Sequence, residues 1–188
     1  MAGIIPLKRL FSAIFRQGIH GGQQNKGEMR NLMLIKNREH IISNKQLKKI
    51  IHKLGAEFQP AVLVVCENRK ELLEYFVAVP YLISSLLDIS LWMGKTEGFY
   101  LERGDIVVIF TYSQTDDGDD LHSHQLYSIH ALLHELYHRR VSDQQLQLSD
   151  RQEECEADRF ATKFINKKSR FISKVMNWED EWSMWEEE

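Results

Sequence analysis

The segment IHALLHELYHRRV, residues 129–141, constrains this chain more than any other stretch. It sets His130, His134 and His138 at a spacing of four, with Glu135 between the last two. The pattern is helical, and residues four apart on a helix lie one turn apart on one face. His134 and His138 can therefore aim two imidazoles at a single ion. Glu135 stands about 100° round the helix, beside the pair. A base placed there can take a proton from metal-bound water without ligating the ion itself. The competing reading is a polar helix face that carries unrelated histidines.

A catalytic zinc ion wants a third protein ligand and one open position. The next helical segment, Glu153-Glu154-Cys155-Glu156-Ala157-Asp158-Arg159-Phe160-Ala161, offers three glutamates on different faces. Glu156 shares a solvated face with Gln152, Arg159 and Lys163. Glu153 leads the apolar stripe Ala157, Phe160, Phe164. Glu154 leads Asp158, Ala161 and Ile165, at the edge of that stripe. Glu154 is thus the expected third ligand, with Glu153 as the fallback. Asp158 is expected to accept a hydrogen bond from a ligand imidazole and fix its tautomer. Acids also gather at helix starts for dipole reasons, which would account for any one of these glutamates without a metal.

HELYH followed by EECEADRFA resembles the ImmA/IrrE family of zinc metallopeptidases, over roughly residues 60–166. The resemblance implies an α+β fold, a minimal gluzincin-like zincin domain. In it, a small sheet packs beside the HExxH helix and a second, Glu-bearing helix. It implies His134, His138 and Glu154 as Zn2+ ligands and Glu135 as the catalytic base, and it puts Asp158 on the family's Asp/Asn position. Family members are often encoded by phages and integrative elements, where they act as anti-repressors by cleaving or inactivating a DNA-binding repressor. The expected partner is therefore a protein substrate of that kind. Two departures stand out. Tyr137 occupies a position where the family commonly has a small residue, and Lys163-Phe164-Ile165-Asn166-Lys167-Lys168 replaces a leucine-rich stretch that ends in Met-Pro.

The 188 residues suit one domain with appendages. Residues 1–58 carry 11 Lys/Arg against 3 Glu, while the last twelve residues, NWEDEWSMWEEE, carry six acids and no base. We therefore divide the chain into a basic arm (1–28), a metallopeptidase domain (29–170, motif core 121–166) and an acidic helix or tail (171–188). Trp178, Trp182 and Trp185 recur there at helical spacing and are expected to pack on the domain. Two cysteines without a pairing pattern, Cys66 and Cys155, fit a reducing cytoplasm. Cys155 is expected to be small and at least half-buried. YFVAVPYLISSLLDISLW is the most apolar run, but Pro80 and Asp88 argue against a membrane span.

Between these landmarks, Asn44 can cap a helix through LKKIIHKLGAEF that Pro60 ends, and residues 61–67 read as a buried strand. NRKELLEYFVAV reads as a helix. GFYLERGDIVVIFTYS reads as two strands joined by a tight turn, with IVVIF either an edge or fully paired. The acidic loop 114–120 lacks the ligand spacing of a calcium loop. SDQQLQLSD, residues 142–150, reads as a loop. His122 and His124 read as loop or cap residues. Tyr137, Tyr112, Tyr127 and His130 are all candidates to stabilise an oxyanion, and His130 is also a possible fourth ligand or a packed neighbour.

The expectation is a cytoplasmic zinc endopeptidase acting on a regulator. The alternative is a catalytically silent zinc-binding protein that inactivates a transcriptional regulator by contact. A nucleic-acid-binding role for the basic arm ranks behind both, because no aromatic-basic interleaving or recognised motif supports it. No direct nucleic-acid or membrane contact is expected.

Overall fold

The structure, a computed structural model, describes residues 33–67, 71–72, 97–102, 104–111, 121–182 and 184. The basic arm, nearly all of NRKELLEYFVAV with its break at Pro80, the acidic loop 114–120, Tyr112 and Trp185 lie outside the described residues.

Short runs rich in β-branched and aromatic residues build the sheet. Strands β1 (Leu34–Lys36), β2 (Val62–Cys66), β3 (Gly98–Leu101) and β4 (Ile106–Phe110) lie in the order β1-β2-β4-β3. β1 and β2 run parallel, as do β2 and β4, whereas β3 returns antiparallel to β4. The sheet is therefore mixed and the fold is α+β. IVVIF forms β4 and is paired on both sides, so β3 is the outer strand on the β4 side of the sheet. All five residues of β4 are buried. Side chains alternate across the sheet: Leu63, Val65, Val107 and Ile109 join one core cluster, and Val64, Cys66, Val108 and Phe110 join another.

Four helices complete the described residues: α1 (Asn44–Leu54), α2 (Leu121–Gln144), α3 (Asp150–Lys167) and α4 (Ser169–Met176). α1 buries Leu47, Ile50 and Ile51. Its cap is Ser43 rather than Asn44. The Ser43 hydroxyl accepts from Gln46 N–H while the Gln46 side chain accepts from Ser43 N–H, a reciprocal capping box that Asn44 has no partner to form. Asn44 donates instead to Glu39. α1 ends at Gly55, whose φ of 127° a side chain would strain, and one turn of 3-10 helix (Ala56–Phe58) follows before Pro60.

α2 is the central beam. Leu132, Leu133 and Leu136 are fully buried in the first cluster, and the helix packs across β4 and β3 with α3 alongside. It runs on to Gln144, so the connection to α3 shrinks to residues 145–149, and His122 and His124 fall in its first turn. A second capping box, Ser149 with Gln152, starts α3. Arg139 ties α2 to the sheet. Its Nε and Nη2 donate to the two oxygens of Asp105 at 2.6 and 3.0 Å, and Nη1 donates to Glu57 C=O at 2.5 Å. Asp105 stands in the β3–β4 turn and also accepts from Ala61 N–H at 2.9 Å.

Trp178 and Trp182 do not lie on a helix. Asn177, at φ 61°, ends α4, and the chain continues in irregular conformation. Trp178 is buried and donates from Nε1 to Gln125 at 2.7 Å. The rings of Trp178 and Trp182 both meet His122, at 5.9 and 5.5 Å. The Asn166 side chain then clasps Met184, accepting from its N–H at 2.8 Å and donating to its C=O at 3.0 Å. No helix among the described residues is long and apolar enough to cross a membrane.

Candidate metal centre

α2 and α3 run antiparallel, so contacts that climb one helix descend the other: His130 meets Thr162, His134 meets Asp158, and His138 meets Glu153. This register decides what each acid of α3 does. Nδ1–H of His134 donates to Asp158 Oδ1 at 2.7 Å, and Nδ1–H of His138 donates to Glu153 Oε1 at 2.6 Å. A carboxylate accepts only, so both imidazoles are held in the tautomer whose Nε2 lone pair is free. The two Nε2 atoms lie 2.9 Å apart. Glu154 faces both, with Oε2 at 3.2 Å from Nε2 of His134 and Oε1 at 3.4 Å from Nε2 of His138.

His134, His138 and Glu154 can hold a metal ion, with donor atoms all within 4.8 Å of one another. The donor separations are close to the roughly 3.3 Å expected round a tetrahedral ion with bonds of about 2.0 Å. Two nitrogen lone pairs and a carboxylate facing one point suit a cation on electrostatic grounds. Glu153 lies outside this donor set. It sits on the far nitrogen of His138 and does for that ring what Asp158 does for His134. The sequence signal was available: two ligand histidines need two Nδ1 acceptors, and Glu153 and Asp158 flank Glu154.

Glu135, one step round α2, is only 6% exposed. Burial first, and then the Glu154 and Glu97 carboxylates, push its carboxyl up to about 8. It lines a cleft of about 1470 Å³ together with the three donor residues, Tyr100, Tyr127 and His130. The other candidates sort by geometry. His130 is not in the donor set: it meets Thr162 Oγ1 at 3.3 Å, and burial lowers the proton affinity of its ring. Tyr137 turns away from the cleft to pack on Phe160, and its hydroxyl donates to Glu156. Glu156 is exposed but not merely solvated, since it is that acceptor. Burial and the Glu156 contact push the Tyr137 phenol up to about 12. Cys155 is exposed and lines the cleft, against the expectation that it would be at least half-buried. Tyr100, which no motif singled out, faces the cleft from β3, and burial keeps its phenol protonated beyond the usual range.

Compared with protein-family models, curated proteins and solved structures, the chain gives no significant match.

Proposed function

We propose that the chain is a zinc-dependent endopeptidase with a minimal gluzincin-like domain, of the ImmA/IrrE type that its two motifs resemble, and that it hydrolyses a peptide bond in a DNA-binding regulator such as a phage or mobile-element repressor. The observation that carries this reading is the pairing of a two-imidazole, one-carboxylate donor set with a buried, non-ligating Glu135 beside it. Two histidines and a glutamate suit zinc, the metal of open three-ligand catalytic sites. When bound, zinc lowers the pKa of a coordinated water toward about 7 and polarises a substrate carbonyl. His134, His138 and Glu154 hold the ion, and Asp158 and Glu153 keep the two rings in register. Glu135 takes the proton of the attacking water and passes it to the leaving amine.

The size of the cleft favours a polymer. Pockets for small ligands run to about 300–1,000 Å³, and this one is larger at about 1470 Å³. Gly98, Phe99 and Tyr100 bring β3 to its wall, and β3 pairs only with β4 among the described residues, so an extended substrate has a strand to align with. Tyr100 and Tyr127 line the cleft and are the candidates to donate to a developing oxyanion. The regulator as target rests on the resemblance of HELYH and EECEADRFA to that family.

The test is zinc loading followed by incubation with a proteome-derived peptide library, with new N-termini read by mass spectrometry. The expected result is one zinc per chain and defined cleavage sites that vanish in Glu135→Gln, while zinc stays bound. Equal cleavage by Glu135→Gln would overturn the reading. Inactivation of a regulator that survives Glu135→Gln would select the contact-only alternative.

A further inference from the structure

Gly98 opens β3 in a strand that otherwise reads Phe99-Tyr100-Leu101, all good strand formers. Glycine weakens a strand because it orders more backbone and offers no side chain to pack. Its φ is not in the left-handed region, so backbone conformation does not require it. Space does. A β-carbon on Gly98 would come within 2.8 Å of Glu135 Cγ and 3.1 Å of Glu135 Oε1, and within 2.8 Å of Val108 C=O. Separations under about 3 Å between such atoms force something to move. Val108 C=O belongs to the β3–β4 ladder, in which Gly98 pairs with Ile109 and Phe99 with Val108. The ladder resists that shift, whereas the Glu135 side chain can rotate. Gly98 and Tyr100 share the sheet face that meets α2, so the missing side chain leaves a notch directly under Glu135.

We propose that Gly98 is a positioning residue for Glu135: the absence of a side chain at this strand position lets the carboxylate lie flat against β3, beside the metal donors and facing the cleft. The role rests on the reading of Glu135 as the base. Any L-residue at 98 turns the Glu135 carboxylate out of the notch without touching His134, His138 or Glu154. The motif HExxH then remains complete in sequence while its glutamate is misplaced.

The experiment compares Gly98→Ala, Glu135→Ala and the double variant, all as full chains. In the zinc-loaded chain, Gly98→Ala keeps one zinc per chain, and its cleavage of the peptide library falls about 10²-fold, the scale of an ångström-sized misplacement. In the metal-free chain, the loss of Tm caused by Gly98→Ala is smaller when Glu135 is already alanine, because the Glu135 Cγ contact is gone and only the Val108 C=O contact remains. If Gly98→Ala does not fold, the double variant regains folding. Wild-type cleavage by Gly98→Ala, an equal loss of Tm in both backgrounds, or a double variant as unfolded as the single one overturns the proposal. The Tm coupling is read without any hydrolysis, so a failure of the peptidase reading appears separately, as cleavage that Glu135→Gln leaves unchanged.

Discussion

The Nε2 atoms of His134 and His138 face each other at 2.9 Å. Each ring has already committed its Nδ1–H to a carboxylate on α3, so neither can rotate away without losing a charge-assisted hydrogen bond. The pair is held open toward Glu154 before any ion arrives, which lowers the ordering cost of binding.

Metal titration therefore separates the two neighbouring glutamates. Glu154→Ala removes a donor atom and abolishes stoichiometric zinc at micromolar metal. Glu153→Ala leaves the stoichiometry at one per chain but weakens affinity about 10–100-fold, the usual effect of releasing a ligand imidazole. Competition against a chromogenic chelator, with metal content measured by mass spectrometry, reads both.

The metal-free chain loses stability as pH rises. Glu135 in the folded protein holds its proton up to about 8, against 4.5 for an ordinary glutamate. Between those values the folded state binds a proton that the unfolded state has released, so stability falls with each pH unit by up to ~1.4 kcal/mol and levels off above the folded value. Glu135→Gln removes this slope and makes the metal-free chain more stable than wild type at pH 8 by a few kcal/mol, with the two converging near pH 4. A nearby divalent cation favours the carboxylate, so zinc flattens the wild-type slope as well. Urea titrations from pH 5 to 9 measure all three curves.

Arg139→Ala costs about 2–3 kcal/mol of stability, since it strands the partly buried Asp105 and one carbonyl at once. For a chain of this size that lowers Tm by roughly 5–10 °C. Arg139→Lys recovers little, because an ammonium cannot engage both Asp105 oxygens and Glu57 C=O together. Thermal unfolding of the zinc-free variants provides the comparison.

Tyr137→Phe leaves zinc content and cleavage unchanged and lowers stability by about 1 kcal/mol or less. Its hydroxyl serves Glu156 on the α2–α3 seam, outside the cleft. A large drop in cleavage with intact zinc binding would instead return Tyr137 to the oxyanion candidates.

What the sequence could show here followed from range. His134, Glu135 and His138 were legible because helical geometry fixes their relation within one turn. β2, β3 and β4 were legible because each is a short β-rich run with clear ends. The division of labour among Glu153, Glu154 and Asp158 was legible only in part. The faces of α3 follow from its own periodicity, but which acid meets which imidazole depends on the antiparallel register of α3 on α2, a long-range quantity. The same holds for Tyr137: its place in the motif suggested the pocket, and its side chain went to the helix seam. The Ser43 cap was missed by one residue because Asn44 is as good a cap in isolation, and only the reciprocal bond from Gln46 decides between them. The notch at Gly98 left no local signal at all, since the atoms that fill it belong to Glu135.

Among the described residues, the donors that can hold an ion, and both carboxylates that hold the rings, come from two consecutive helices joined by residues 145–149. Among the described residues the sheet supplies none of these donors. The donor group is therefore a cassette: substitutions in β1 or β2 leave every one of these donors in place as long as α2 keeps a floor to rest on. A designer transplanting the site would need the α2–α3 hairpin, its helical register, and a strand with one missing side chain beneath the glutamate.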